Sequence, residues 1–154
     1  MNEFLISGSL AALLIVVCSF IIYEILCFIW SRLPEITWPP RIRVLCVVAG
    51  TFIGHIINIW LFGVIYYVMI IFDLGKFTGA SIERGDYSID LFGCAYISSV
   101  LYTTLGAGDV TPEGSLRMIV GVEGLIGFIL IGWTISFTYL AMEKFWQLPH
   151  RRNK

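Results

Sequence analysis

Apolar residues along the chain fall into three long runs that polar segments separate. The runs cover about residues 4–30, 44–72 and 116–146, and each is longer than the roughly 20 residues that a helix needs to cross a hydrocarbon core. A fourth apolar segment, residues 91–103, is too short to span a bilayer, but its length suits a re-entrant helix. The pattern therefore predicts an all-α integral membrane protein with three transmembrane helices and one re-entrant helix.

This order of segments divides the chain into two parts. Residues 1–43 contain an N-terminal transmembrane helix and the loop that follows it, and residues 44–154 form a second unit. Within the second unit we expect an outer helix (44–72), an extracellular loop (73–90), a short helix (91–103), an irregular loop (104–108) and an inner helix (116–146).

Composition narrows the environment and the function. The chain of 154 residues is 58% hydrophobic and only 14% charged, whereas soluble domains carry about a quarter charged residues. We therefore expect membrane lipid as its surroundings. A net charge of −1 argues against binding to nucleic acid, which requires a concentrated basic face.

The sequence gives no sign of an enzyme or of a resident cofactor. It contains no HExxH motif, no phosphate-binding loop and no nucleophile–base pair. Four cysteines lie in apolar stretches without CxxC spacing, which is typical of packed thiols rather than of a metal site or a disulfide framework. The segments outside the apolar runs are also too short for a soluble ligand-binding domain.

Basic residues predict the orientation, because Lys and Arg accumulate in short cytoplasmic loops. Arg32, Arg41 and Arg43 follow the first helix, and the C-terminal tail contains a second basic group: Lys144, Arg151, Arg152 and Lys154. The loops on the other side are rich in Asp and Glu. We expect a multi-pass protein of the cell membrane with its N-terminus outside and its C-terminus in the cytoplasm.

The segment TTLGAGDVTP, residues 103–112, directly follows the short helix. An irregular backbone at membrane depth must be buried in protein or line water, because lipid cannot satisfy its amide groups. Gly106 and Gly108 can adopt the dihedral angles that turn successive carbonyl oxygens toward one axis. Carbonyl oxygens arranged in this way can replace the hydration shell of a cation.

This segment resembles the TxGYGD signature of tetrameric potassium channels. Residues from about 56 to 146 resemble the two-helix pore module of the ion channel superfamily, including its bacterial members. The resemblance implies a homotetramer in which residues 91–103 form the pore helix and no metal is bound beyond the permeant K⁺. It further implies these ion-coordinating positions: Thr104, Leu105, Gly106, Ala107 and Gly108. Thr103 and Asp109 flank them as supporting residues.

The sequence departs from that signature at Ala107, where the family usually has an aromatic residue that braces the loop. The positions expected to lie behind it hold Ile97 and Leu101, which offer no hydrogen bond, and Tyr96 and Tyr102 are expected to fill part of the vacated space. The carbonyl group of Ala107 is still expected to face the ion. A weaker brace leaves open a channel that discriminates poorly between potassium and sodium.

Three polar residues lie deep in the predicted spans. Counting about 1.5 Å per residue from the ends of the apolar runs places Glu123 about 20 Å, His55 about 17 Å and Asn58 about 21 Å above the inner boundary. An ionisable group in a span needs a partner. We therefore predict one buried polar cluster in which Glu123 hydrogen-bonds His55 or Asn58.

Glycines in the helices predict close packing, because small residues let membrane helices approach each other. This applies to Gly50 and Gly54 in the second run and to Gly121 and Gly124 in the third. Gly127 lies near the middle of the inner helix, where it is a candidate either for packing or for a gating hinge.

Together these features predict a passive, cation-selective channel that favours potassium. A weakly selective cation channel is the alternative within the same class. The alternatives from other classes are a subunit of a potassium uptake transporter and a non-conducting membrane scaffold. Potassium uptake systems that reuse this module usually fuse four copies in one chain, whereas this chain has one.

Overall fold

The structure, a computed structural model, describes residues 2–35, 37–85 and 88–145, with side chains for residues 7–35, 37–85 and 88–144. Trp146, the predicted end of the inner helix, lies outside the described residues. The same is true of Arg151, Arg152 and Lys154, which contributed to the predicted orientation.

Three long helices make up most of the fold: α1 (Asn2–Arg32), α2 (Pro40–Ile71) and α5 (Leu116–Phe145). All three are long and apolar enough to cross a membrane, which confirms the predicted helical membrane fold. A short 3₁₀ turn, Leu33–Glu35, follows α1. The helix α2 begins at Pro40 rather than near residue 44, because proline at the first helical position loses no hydrogen bond and has a suitable φ.

Helix α1 packs against both α2 and α5. A Cβ atom on Gly50 would lie 2.5 Å from the side chain of Ile29, and one on Gly54 would lie 2.8 Å from that of Ile22. Real Cβ atoms do not approach so closely, so these glycines form the groove of α2 that receives α1. This agrees with the predicted packing role of the two glycines.

The short helix α4 (Leu91–Tyr102) lies between α2 and α5. It begins where it does because the carboxylate of Asp90 accepts a hydrogen bond of 2.7 Å from the N–H of Gly93, which satisfies one of the free donors of a helix N-terminus. That bond also holds the pKa of the Asp90 carboxyl below its usual value.

Two glycines allow α4 to approach its neighbours. A Cβ atom on Gly63 of α2 would lie 2.7 Å from the Cα atom of Ala95, and one on Gly127 of α5 would collide with the carbonyl oxygen of Tyr102. Gly124 faces the same end of α4 at ordinary contact distance. At Gly121 a Cβ atom would meet no atom within 4 Å, so Gly121 makes no close helix contact within the described chain.

The segments outside the long helices contain a small antiparallel sheet that the sequence pattern did not predict. Strand β1 (Gly75–Thr78) pairs with β2 (Thr111–Gly114), with Phe77 opposite Pro112. A single helical turn, α3 (Ala80–Glu83), follows β1. The strands escape prediction because each has only four residues, too few for a reliable alternation of polar and apolar positions. The sheet ties the end of α2 to the start of α5.

Candidate functional site

The Gly-rich loop, residues 103–110, starts at the C-terminus of α4. The N–H of Thr104 donates to the carbonyl of Leu101 (3.0 Å), and the N–H of Leu105 donates to that of Val100 (3.1 Å). These two bonds form a Schellman motif, which ends a helix with one residue in the left-handed conformation. That residue is Thr104, with φ of 60°, although glycine is usual there because a Cβ atom adds steric strain.

Left-handed residues then recur at every second position of the Gly-rich loop. The φ angles are 60° at Thr104, 85° at Gly106 and 64° at Gly108, whereas Leu105 and Ala107 have negative φ. In an ordinary strand successive carbonyl groups point to opposite sides. When every second residue has a positive φ instead, successive carbonyl groups can point to the same side. No described backbone N–H donates to the carbonyl oxygens of Thr104, Leu105 or Gly106. The loop therefore presents free carbonyl oxygens.

The carbonyl of Ala107 differs from its neighbours, and the expectation that it faces an ion is not met in the single chain. It accepts a hydrogen bond of 3.1 Å from the N–H of Val110. Gly108 is the second residue of the turn that this bond closes, and its positive φ suits such a turn. The Ala107 carbonyl is thus turned toward its own chain.

Asp109 fixes the outer end of the Gly-rich loop. Its two carboxylate oxygens each accept a hydrogen bond of 2.6 Å from Ser81, one from the hydroxyl group and one from the backbone N–H. Both bonds favour the ionised carboxylate and hold the pKa of Asp109 below its usual value. The segment from Gly79 to Ser81 therefore supports the loop from outside, a role that its sequence did not reveal.

A cavity of about 230 Å³ lies behind the Gly-rich loop. Its walls are Tyr96, Ile97 and Val100 of α4 and loop residues 106–110. Ile97 thus lies behind Ala107 as predicted, but Leu101 and Tyr102 do not line the cavity. Leu101 is the residue after Val100 on α4, so it points to another side of the helix. Tyr96 borders the vacated space as expected, whereas Tyr102 does not, and the space remains open.

Glu123 is fully buried, and the prediction that it bonds His55 or Asn58 is wrong. Its carboxyl group contacts Tyr66 of α2, which donates to Oε2, and Ser98 of α4, whose Oγ lies 2.5 Å from Oε1. We call Tyr66, Ser98 and Glu123 the acid cluster. It joins α2, α4 and α5.

The other two polar residues belong to a separate group, the histidine cluster: His55, Asn58, Tyr102 and Thr134. His55 Nδ1 lies 2.9 Å from the hydroxyl of Tyr102, and Nε2 lies 2.9 Å from Oγ1 of Thr134. When Thr134 donates its proton to the carbonyl of Ile131 (3.0 Å), its oxygen accepts from Nε2–H. Nδ1 is then the acceptor for the Tyr102 hydroxyl, which fixes the tautomer of a neutral imidazole.

Asn58 extends the histidine cluster to α1. Its Nδ2 lies 3.4 Å both from the carbonyl oxygen of Cys18 and from the hydroxyl of Tyr102. Tyr102 is the last residue of α4, so α1 is linked through Asn58 to the point where the Gly-rich loop begins. On its other side the cluster borders an apolar cavity of about 570 Å³ between α2 and α5, with His55, Thr134 and Thr103 among its lining residues.

The family to which the chain belongs follows from comparison with known proteins. The model of a family described as "Ion channel" matches residues 54–144, more than half of the chain. The chain belongs to this ion channel family. The match contains most of α2, all of α4, the Gly-rich loop and nearly all of α5, and it leaves α1 outside. No curated protein and no solved structure matches the chain.

Several residues of the channel have roles that the sequence did not indicate. Tyr66, Ser98 and Thr134 supply hydroxyl groups to the two buried clusters, and Ser81 holds Asp109. Serine, threonine and tyrosine are common in membrane helices, so residue type alone did not distinguish them. The only usable signal was the need of Glu123 and His55 for a partner, and it did not specify which one.

Proposed function

We propose that four copies of the chain form a passive, cation-selective ion channel that favours potassium. In this arrangement the Gly-rich loop is the selectivity filter, α4 the pore helix, α2 the outer helix and α5 the inner helix. The N-terminus lies outside the cell and the C-terminus in the cytoplasm. The permeant cation is the only ligand that this function requires.

The observation that carries the proposal is the change of hand at every second residue of the Gly-rich loop. Free carbonyl oxygens at Thr104, Leu105 and Gly106 suit a monovalent cation that has shed its water. The C-terminus of α4, which bears a partial negative charge, leads directly into this loop and favours cations over anions.

Exposure of the loop supports assembly from several copies. Leu105 is 81% exposed in the single chain, and a single loop cannot surround an ion. In a bilayer such a loop must be covered by protein or face water. Four loops around one axis meet both needs, with side chains packed outward and carbonyl oxygens turned inward.

A weakly selective channel is the second candidate, and one observation favours it. The cavity of about 230 Å³ behind Ala107 leaves the outer part of the filter without a packed support. Selection of potassium over sodium depends on how the coordinating carbonyl groups are held. A filter that can shift into open space would discriminate less.

Ion flux through the purified full-length chain in liposomes tests the proposal. We expect potassium flux that chloride does not accompany, and the reversal potential in mixed potassium and sodium separates the two candidates. Gly106→Ala should abolish the flux, because alanine resists a φ of 85°, at a strain of about 1–2 kcal/mol in each of four copies.

The matched control is Gly121→Ala, which adds the same methyl group where nothing lies within 4 Å and φ is helical. Flux through well-assembled Gly106→Ala protein would refute the filter assignment. Absence of flux in the unaltered chain would favour a non-conducting scaffold, whereas flux that saturates at carrier-like rates would favour a transporter subunit.

A further inference from the structure

The acid cluster contains three close oxygen–oxygen contacts in series. The hydroxyl of Tyr66 contacts Oε2 of Glu123, Oε1 of Glu123 lies 2.5 Å from Oγ of Ser98, and Oγ of Ser98 lies 2.8 Å from the carbonyl oxygen of Ile59. Two oxygens at such distances attract each other only when a proton lies between them. Three contacts therefore require three protons.

The neighbours of Glu123 supply only two of these protons. Tyr66 and Ser98 each have one hydroxyl proton, and the carbonyl of Ile59 has none. If Tyr66 donates to Oε2 and Ser98 donates to Ile59, the contact between Oε1 and Ser98 needs a proton from Glu123 itself. Tyr66 then donates to Glu123, Glu123 donates to Ser98, and Ser98 donates to Ile59.

The surroundings of Glu123 agree with a neutral acid. Its exposed fraction is 0%, and no described Lys, Arg or His hydrogen-bonds or ion-pairs with it. The titratable groups that face it are Tyr66 on α2, Cys18 on α1 and Tyr102 on α4, with Cys94 of α4 beside Tyr66. None of them is a cation, and an unpaired buried charge is costly.

We propose that Glu123 is a neutral carboxylic acid whose O–H donates a hydrogen bond to Ser98. Glu123 is then a positioning residue for the pore helix. Ser98 lies in the middle of α4, one helical turn after Ala95, which touches Gly63 of α2. The acid therefore holds the same part of α4 that Gly63 allows to come close. The protonation state stands independently of conduction, whereas its effect on permeation rests on the proposed function.

Infrared spectroscopy of the purified full-length protein in lipid tests the protonation directly. We expect the carbonyl stretch of a protonated carboxylic acid at neutral pH, and we expect Glu123→Gln to remove it. Glu113→Gln is the matched control, because Glu113 lies in β2 with its side chain 41% exposed. No such band in the unaltered protein, or a band that survives Glu123→Gln, would overturn the proposal.

Flux measurements on the same preparations test the positioning role. Glutamine keeps an acceptor for Tyr66 and a donor for Ser98, so Glu123→Gln should keep flux within about twofold, whereas Glu123→Leu, which has neither group, should lower it by about tenfold or more. Equal impairment by glutamine and leucine would refute the role of the donated proton.

The two readouts also separate this inference from the proposed function. A carboxylic acid band without ion flux in the unaltered chain would leave the protonation intact and overturn conduction. If Glu123→Leu does not assemble, the comparison of Glu123→Gln with the unaltered chain still decides, because glutamine keeps an acceptor for Tyr66 and a donor for Ser98 and cannot lose a proton.

Discussion

The acid cluster and the histidine cluster hold the same short helix at two points and differ in their access to the outside. Both connect α2 with α5 through α4, the first at Ser98 and the second at Tyr102. Glu123 is fully buried, whereas His55 lines the apolar cavity between α2 and α5. The acid cluster is therefore inaccessible to other molecules, whereas a molecule bound in the cavity can contact the histidine cluster.

The two clusters also show the register of the antiparallel helices. Tyr66 lies 11 residues beyond His55 on α2, and Thr134 lies 11 residues beyond Glu123 on α5. At the helical rise this separates the members of the two clusters on α2 and on α5 by about 16 Å, half the thickness of a hydrocarbon core, whereas Ser98 and Tyr102 lie one turn apart on α4. One cluster thus supports the middle of α4 and the other its C-terminal end, where the Gly-rich loop starts.

The largest effect is expected at the histidine-cluster end of α4. Gly127→Ala adds a methyl group that collides with the carbonyl oxygen of Tyr102. That oxygen belongs to the backbone and cannot move alone, so α4 or α5 must shift, at about 1–3 kcal/mol for an overpacked site. We expect loss of ion flux together with a lower thermal stability of the assembly.

Gly124→Ala is the control for Gly127→Ala, because its Cβ atom would lie 3.8 Å from the carbonyl of Leu101, an ordinary contact. If Gly127→Ala instead leaves stability unchanged and alters only opening and closing, the residue is a hinge, as the sequence allowed.

Removal of one hydroxyl from each cluster compares the two supports directly. Tyr66→Phe leaves a carboxyl oxygen of Glu123 without a donor in a closed site, which should cost about 1–3 kcal/mol of unfolding free energy. Tyr102→Phe affects His55 at the wall of a cavity, so we expect a smaller loss of about 0.5–1.5 kcal/mol. Denaturation of the purified protein in detergent measures both.

Tyr139→Phe serves as the reference for these two changes, because Tyr139 is 66% exposed and should change stability by less than about 0.5 kcal/mol. A larger loss of unfolding free energy for Tyr102→Phe than for Tyr66→Phe would show that the histidine cluster stabilises the fold more than the acid cluster does.

The sequence predicted the features that residues close together in the chain determine, and it failed for contacts between distant segments. The long helices follow from apolar runs, and the Gly-rich loop follows from glycines and a helix end, all of which involve neighbouring residues. The partner of Glu123 depends on the register of α2 against α5. The predicted depths start from the ends of the apolar runs, but α2 has 32 residues, more than a bilayer requires, so those ends do not mark equal depths.

The error in the predicted partner of Glu123 can be expressed as the distance along α2 from Asn58, a predicted partner, to Tyr66, the observed one. Tyr66 lies eight residues beyond Asn58 on α2, or about 12 Å along the helix. The Ala107 carbonyl illustrates a second kind of limit. Its bond to Val110 depends on a turn of four residues, and glycine at position 108 permits both this turn and the expected conformation in which the Ala107 carbonyl faces the ion.

Double-mutant cycles test whether the two clusters act separately. Within the histidine cluster, His55→Ala and Tyr102→Phe remove the two ends of one hydrogen bond, so we expect a coupling of about 1 kcal/mol. Between the clusters, Glu123→Gln and His55→Ala should add within about 0.5 kcal/mol, because they share no partner. Coupling of Glu123 with His55 equal to that of the first cycle would restore the single cluster predicted from depth.

The smallest effect is expected at the exposed contact between Asp109 and Ser81, which supports the Gly-rich loop from outside the helices. Because the pKa of Asp109 is lowered in the folded protein, its stabilising contribution is complete above the ordinary carboxyl pKa and is lost as pH falls through the lowered value. Ser81→Ala removes the hydroxyl bond, which lowers the pKa of Asp109 more than the backbone bond does, and keeps the backbone N–H. The pKa of Asp109 should therefore rise only part of the way to its ordinary value. The melting temperatures of Ser81→Ala and of the unaltered protein should differ at about pH 7 and converge at about pH 3. Ser136→Ala, whose hydroxyl bonds its own helix, should give a difference that does not vary with pH, and the same constant difference for Ser81→Ala would show that Asp109 does not depend on this bond.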